Sequence, residues 1–484
     1  MIDISELHTG LYIGGDWRDG RASFTTLNPA TGQPLADLAA ADAADVDAAV
    51  DAAESAFRGD WGALAPSRKG LLLNKLADLA ERDIEQLAAL ESLDMGRPVG
   101  AGAALMIPNL IGTLRYYAGW SDKINGDLIA NDGYMGGPVQ THAYTRREAL
   151  GVVGAIIPWN APLMILGWKI GPALACGNTV IIKPAEDASL AILRFAELVT
   201  EAGFPPGTVN VLTGEGKVAG EALSLHSGIK KISFTGSTET GRAILRNSAI
   251  NFKRTALELG GKAPQIIFDD ANLEAAVQGC AMGLFFNQGE VCAAGTRIIV
   301  HRKVYDAVLD GLKGAAQAQV VGDPFDPETT MGPLVNARQR DRVVDYLKKG
   351  ADEGADVVAG GSAPDRPGFF VEPTVFAGSN DMSVAREEIF GPVGIVIPFD
   401  TDDEAVALAN DNQYGLSATV WTTDVSRAHT VSARVEAGAV AVNGWSPLAP
   451  QLPWGGVKAS GIGRELGYEG ILSYTEPKTV TVVL

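Results

Sequence analysis

The chain holds only three cysteines, and one of them, Cys292, sits in the run FFNQGEVCAAGTR. A thiol destined for a packed core is normally ringed by large apolar side chains, whereas the small residues after Cys292 leave room for a molecule to approach the sulfur. Cys292 is therefore a candidate site. Cys176, in PALACGNT, and Cys280, on an apparent helix, read as buried structural thiols. An odd cysteine count without CxxC spacing disfavours a disulfide framework and a zinc site, and the five scattered histidines suggest no metal either. A cysteine hydrolase would want a histidine beside its thiol. His301, the nearest in sequence, follows an apparent strand and has no companion motif.

A second chemistry lies in KKISFTGSTETGRAIL. A strand ending at Phe234, the turn Thr235-Gly236-Ser237-Thr238 and a helix opening near Glu239, with Gly241 in its first turn, make an anion-binding geometry. Backbone N–H groups at the positive end of a helix can approach phosphate there, and Ser237 can donate its hydroxyl. The spacing departs from GxGxxG, so a plain tight turn is the alternative. In NTVIIKPAE, Lys183 and Glu186 follow a strand of the same sheet, where a lysine and an acid can grip ribose hydroxyls. Glu186 would repel a 2′-phosphate, which favours NAD over NADP. A solvated ion pair on a loop is the bland reading of those two residues.

Such groups need a scaffold, and the rest of the chain supplies one. DVDAAVDAAESAF and RKGLLLNKLADLAERDIEQLAALES carry apolar residues at helical spacing. The Gly/Asn-rich stretch 121–151 reads as an excursion from the first domain. Beyond it, GVVGAIIP, NTVIIKP, TVNVLTG and IKKISFTGS alternate with helical segments, the rhythm of βαβ units and a parallel sheet. A second set, TRIIVH, GIVIPF, LSATVW and AVAVNG, follows Cys292, so two α/β domains are expected. The tail YTEPKTVTVVL has high β propensity, and an open strand usually pairs with something. The 484 residues exceed one small core, and a formal charge of −19 argues against nucleic acid or an anionic membrane as partner. No apolar run reaches the ~20 residues of a membrane helix. No targeting signal is visible at the amino terminus, so a cytoplasmic location is expected.

Five segments then fall in the order and spacing of one family: PWNAP (158–162), FTGSTETG (234–241), LELGGK (257–262), FFNQGEVC (285–292) and EEIFGPV (387–393). Together they resemble the NAD(P)-dependent, non-acylating aldehyde dehydrogenases, and the likeness runs over essentially the whole chain. The resemblance implies two Rossmann-like parallel-sheet domains plus a small β oligomerisation element. A discontinuous cofactor domain would cover 1–125, 149–259 and 457–473, the catalytic domain 260–456, and the oligomerisation element 126–148 with 474–484. The tail strand would complete a neighbouring subunit's sheet in a homodimer or homotetramer.

The same resemblance implies roles. Cys292 would attack the aldehyde carbon, forming a thiohemiacetal and then a thioester. Asn160 and the Cys292 N–H would hold the oxyanion. Glu258 would activate water, and its presence argues against a CoA-acylating relative. Lys169 and Glu465 would pass the proton outward. Lys183 and Glu186 would bind the adenosine ribose, Gly236 and Ser237 the pyrophosphate, Glu388 the nicotinamide ribose, and Phe390 would pack beside the nicotinamide. Ile157, Trp159, Gly216 and Gly241 complete the cofactor set. Ala161, Trp168, Val291, Ala293, Trp445, Leu448 and Trp454 would line the substrate tunnel. These side chains are apolar with no cation to clamp a carboxylate, so an uncharged aliphatic or aromatic aldehyde is expected over a semialdehyde or betaine aldehyde. One departure stands out: Glu290 replaces the glutamine of many relatives, and a carboxylate pointing inward would raise the thiol's pKa.

Overall fold

A strand buried on both faces is normally apolar throughout, and most of the short β-branched runs in the first half of the chain come close to that rule. In the computed structural model, which describes residues 4–446 and 448–484, Val152–Ile156, Thr179–Lys183, Val209–Val211, Lys231–Thr235 and Arg254–Glu258 are parallel strands. They form the centre of an eight-stranded sheet. Antiparallel Leu11–Ile13 and Asp16–Arg18 flank it on one side and Gly461–Ile462 on the other. The chain steps outward from Val152–Ile156 to Val209–Val211, then returns to lay Lys231–Thr235 against the opposite side of Val152–Ile156. That reversal opens a crevice beyond the carboxyl ends of the two strands, the place where open α/β sheets take ligands.

A second, seven-stranded sheet is drawn from Pro264 to Val442. Pro264–Ile267, Arg297–His301, Thr374–Ala377, Val393–Phe399, Ser417–Trp421 and Ala439–Val442 run parallel, with Asp356–Ala359 antiparallel at one edge. Glu388 and Phe390 precede the strand that starts at Val393, and Cys292 precedes the one that starts at Arg297. The two sheets therefore offer opposite strand ends to the same site: carboxyl ends from the first, amino ends from the second.

The tail strand Thr475–Val483 pairs along its length with Thr141–Ala149, and Leu128–Ile129 adds a third strand. It thus finds a partner in its own chain and lies at one edge of this small sheet. The long helical pattern after Arg68 is two helices, Pro66–Arg82 and Ile84–Met95. They part at Asp83, whose carboxylate is drawn to Arg82 and Arg194. A further helix, Ala337–Asp352, escapes the sequence pattern because it is mostly polar and buries only Val343, Tyr346, Leu347 and Gly350. Among the described residues, no helix is long and apolar enough to cross a membrane.

Candidate active site

The crevice is a cleft of about 1100 Å³. It brings together Trp159, Asn160, Gly236, Ser237, Glu258, Cys292, Glu388 and Phe390 from five separate segments. The strand before the glycine turn runs one residue further than its pattern suggests, to Thr235, and the helix opens at Thr238 with Ser237 as its cap. The Ser237 hydroxyl oxygen accepts the Thr240 N–H at 3.1 Å. The start of this eleven-residue helix faces the cleft with Ser237, Glu239 and Thr240.

Asn160 is fixed by a buried polar network that the sequence pattern does not reveal. Its side-chain amide donates to the Glu290 carbonyl at 2.9 Å. Its own carbonyl accepts from the Arg97 guanidinium and, at 3.0 Å, from the Asn287 side chain. Arg97, fully buried, also donates to the Asn287 side-chain oxygen at 2.8 Å and pairs with Glu91. Glu91 in turn accepts the Leu163 N–H at 2.9 Å. The network holds a turn that is costly by itself: Asn287 and Gln288 adopt left-handed backbone, φ 51° and 57°, at ~1–3 kcal/mol each. The segments before and after the cleft are thereby locked together.

Cys292 is half-buried. Burial and then the carboxylates of Glu258 and Glu388 push its thiol up to about 12, partly opposed by the N–H groups of Ala293 and Cys292 itself. Glu290 is not the cause. Its carboxyl points elsewhere and accepts the Val335 N–H at 3.1 Å. Burial raises Glu290 well above the usual carboxylate range, against the pull of that N–H and of Arg97. Glu258 is buried with both carboxyl oxygens free of hydrogen bonds. Burial, then the charge of Glu465, raises it well above the ordinary range, with Lys169 and Arg464 opposing. A buried carboxyl of raised proton affinity that lines a cleft is suited to take a proton from water. Behind it, Lys169 and Glu465 form a buried ion pair at 2.5 Å, outside the cleft lining.

On the cofactor side, the Lys183 ammonium meets Glu186 at 3.3 Å, and Glu186 accepts the Gly216 N–H at 2.6 Å. Burial favours a neutral Glu186, but Lys183 and the Gly216 N–H outweigh it and hold the carboxyl below its ordinary range. Glu388 accepts the Gly261 N–H at 2.8 Å, and burial pushes it up to about 7. Trp159 meets Phe390 edge to face, centroids 5.2 Å apart. Five of the nominated cofactor residues lie off the cleft lining: Lys183, Glu186 and Gly216, which cluster with one another, and Ile157 and Gly241. Ile157 is buried in the core and donates its N–H to the Lys183 carbonyl at 2.9 Å. Gly241 is a close-packing position, since an added Cβ would come within 2.6 Å of Leu259.

The helix Ala337–Asp352 supplies lining residues that sequence reading did not find, Gln339 and Arg342 among them. Gln339 donates to the Phe390 carbonyl at 2.6 Å and Arg342 to the Glu388 carbonyl at 2.6 Å. They hold a loop in which Phe390 has φ 62°. Their only local signal is a three-residue spacing on a polar helix.

On the other side of the sulfur, Ala161, Trp168, Ala293 and Trp454 form an apolar cluster into which Cys292, Val291, Leu448 and Phe286 pack. Trp168 and Trp454 meet edge to face at 6.2 Å. Trp445 anchors its indole N–H on the Ala293 carbonyl at 3.1 Å and tilts over Phe286. All seven residues expected to line the substrate path thus surround the thiol or its neighbours.

The thiol lies between an apolar cluster and a cleft at the switch point of a doubly wound sheet, an arrangement that suits an enzyme site. Comparison with known proteins makes that class specific. Residues 17–480 match the aldehyde dehydrogenase family, and the chain belongs to it. It is an oxidoreductase of that family. Retinal dehydrogenase 2 of Gallus gallus is 46% identical over 487 residues, 99% of this chain and 93% of the relative. An aldehyde dehydrogenase of Davidiella tassiana is 45% identical, covering 99% of this chain and 96% of its own. Among solved structures, the NAD+ complex of an aldehyde dehydrogenase from Bacillus cereus superposes with a TM-score of 0.96 at 44% identity, covering 99% and 97% of the two chains. A betaine aldehyde dehydrogenase point mutant from Staphylococcus aureus, in complex with NAD+, gives 0.96 at 37% identity over 99% and 97%.

Proposed function

We propose that this protein oxidises an uncharged aliphatic or aromatic aldehyde to its carboxylic acid with NAD, through a thiohemiacetal and a thioester on Cys292. The observation that carries the reading is the convergence of Cys292, Glu258 and Asn160 on one cleft. The cleft fits a dinucleotide in size and in its helix start beside the Gly236–Ser237 turn; the Lys183–Glu186–Gly216 cluster lies outside its lining, at the carboxyl end of a strand in the same sheet. Lys183 and Glu186 would hold the adenosine ribose, Gly236 and Ser237 the pyrophosphate, and Glu388 the second ribose. When bound, NAD supplies the hydride acceptor that turns the thiohemiacetal into the thioester.

The chain's own residues do the rest. The Cys292 sulfur adds to the carbonyl carbon, and the oxygen gains charge as the C–S bond forms. Asn160 and the Cys292 N–H donate to that oxygen, and the Arg97 network keeps Asn160 from reorienting at the moment of reaction. Glu258 then takes one proton from water as the water oxygen attacks the thioester carbon; the C–S bond breaks, releasing the carboxylic acid and the Cys292 thiolate. A thiol held up to about 12 is almost wholly protonated at neutral pH, so Cys292 must lose its proton as the substrate assembles.

The side chains expected to line the substrate path, Ala161, Trp168, Val291, Ala293, Trp445, Leu448 and Trp454, are all apolar or aromatic, which disfavours a semialdehyde carboxylate. A second reading has support from the edge-to-face tryptophans, because aromatic faces attract quaternary ammonium groups and would suit betaine aldehyde. NADH formation with hexanal, benzaldehyde, succinic semialdehyde and betaine aldehyde separates these readings. A clear preference for the semialdehyde refutes the apolar assignment, and a preference for betaine aldehyde selects the second reading. We also assign the two large sheets to cofactor and catalytic domains, and the small sheet to a homodimer or homotetramer contact.

A further inference from the structure

The strand Lys231–Thr235, KISFT, is central in its sheet and buried at every position. Such strands are normally apolar on both faces, yet this one alternates. Ile232 and Phe234 enter the apolar core on one side. Lys231, Ser233 and Thr235 necessarily share the other face, because strand side chains alternate with a period of two. The parallel neighbour sets Thr235 beside Glu258 and Lys231 beside Arg254. A buried polar column therefore runs down one face of the sheet, from the catalytic carboxyl to the amino-terminal end of the strands, roughly 13 Å for four residues.

Its members are linked. The Ser233 hydroxyl donates to Glu465 at 2.9 Å and accepts from the Lys169 ammonium at 3.2 Å. The Tyr474 hydroxyl faces Ser233 and Glu465. The Lys231 ammonium lies 4.5 Å from the centre of the Tyr474 ring and donates to the Ser473 hydroxyl at 2.5 Å. Ser473 is half-buried and brings the column to the protein surface. Four buried oxygens along it, on Thr235, Glu258 and Glu465, have no hydrogen-bond partner.

We propose that Ser233, Tyr474 and Lys231 form the outer part of the route by which the proton taken up at Glu258 leaves the protein, emerging beside Ser473. The proposal rests on the aldehyde-oxidation reading above. In each turnover the water O–H bond breaks as its oxygen bonds to the thioester carbon, and the proton passes to the Glu258 carboxylate. It moves on through the Lys169–Glu465 pair and Ser233 past Tyr474 to Lys231, which hands a proton to solvent at Ser473. No oxidant or reductant takes part. Lys231 suits the last transfer. Burial lowers its ammonium to about 7, with the Glu465 charge opposing and Lys169 and Arg254 reinforcing, so it gains and loses a proton readily near neutral pH. These three are positioning and relay groups, since none of them touches the cleft.

Stopped-flow mixing of the full-length enzyme with NAD and aldehyde, in weak buffer with a pH indicator, reads NADH and released proton in one experiment. In the unaltered enzyme the two signals should keep pace through successive turnovers. In Tyr474→Phe, Ser233→Ala and Lys231→Met, proton appearance and steady-state turnover should fall about tenfold, less than the ~10²–10⁴-fold due to a general base itself. KM for the aldehyde should hold, and added imidazole should restore the rate by carrying the proton. Ser233→Thr, which keeps the hydroxyl, should behave as wild type. Tyr474→Phe removes a single oxygen and keeps the buried ring, which guards against a variant that fails to fold. Proton release at the wild-type rate in Tyr474→Phe and Ser233→Ala overturns the route. Absence of NADH from the unaltered enzyme defeats instead the reading on which it rests.

Discussion

Replacing Asn160 by alanine separates catalytic from structural worth. The side chain carries two amide N–H donors, of which one is committed to the Glu290 carbonyl at 2.9 Å. The other is left for an oxygen in the cleft that Asn160 lines. Truncation removes the bond to Glu290, but that carbonyl keeps the Asn287 side chain at 3.2 Å and is not orphaned. The backbone carbonyl of residue 160 keeps Arg97 and Asn287. Stability should therefore fall by only about 1 kcal/mol, the net worth of one hydrogen bond. Loss of an oxyanion donor costs more, about 3–4 kcal/mol, or ~10²–10³ in kcat. NADH absorbance at saturating aldehyde gives kcat, and urea unfolding gives the stability change. A kcat within about threefold of wild type, less than ~0.7 kcal/mol of barrier, refutes the oxyanion role. So does a kcat loss fully matched by unfolding.

Arg97→Met should do the reverse and cost stability first, by about 3–5 kcal/mol, because Glu91 is left as a buried, unpaired charge; urea unfolding measures it, and a near-neutral change contradicts the network. Glu258→Gln should yield about one NADH per subunit in a rapid first phase and then stall, since the thioester forms but its hydrolysis lacks a base; unchanged steady turnover assigns the base elsewhere. Without cofactor, alkylation of Cys292 by iodoacetamide should accelerate roughly tenfold per pH unit. Its sign follows from burial, Glu258 and Glu388, which disfavour the thiolate until pH reaches about 12; mass spectrometry of the labelled peptide would show a plateau below pH 9 if that is wrong. Glu186→Ser should improve use of NADP by roughly tenfold, ~1.4 kcal/mol of removed repulsion, read as the ratio of kcat/KM for the two dinucleotides.

Much of the site is legible in residue order because its key groups sit where strands end. The strand and turn pattern places the Gly236–Ser237 turn at the carboxyl end of a strand and Cys292 before another, whereas Asn160 and Glu258 are marked by the family resemblance of PWNAP and LELGGK; the structure sets Asn160 after the strand ending at Ile156 and Glu258 at the end of its own. Local sequence carries that information, since a two-residue alternation and a glycine turn are properties of a few consecutive positions. The apolar character of the Trp168–Trp454 cluster is readable from residue type once the resemblance assigns those positions. What holds these groups is not readable there. Arg97 reaches Asn160 across 63 positions and Asn287 across 190, and nothing near Arg97 marks it.

Only the tertiary structure decided where Glu290 points, that Gly241 is a packing contact against Leu259, and that Gln339 and Arg342 hold the Phe390 loop. It also decided that the polar face of KISFT meets Lys169 and Glu465. The alternation itself is plain in the sequence, but the identity of the facing groups is not. The physical reason is that a side chain's direction follows from its own backbone, whereas its partners, its burial and its ease of ionisation are set by whatever distant segments the fold packs against it.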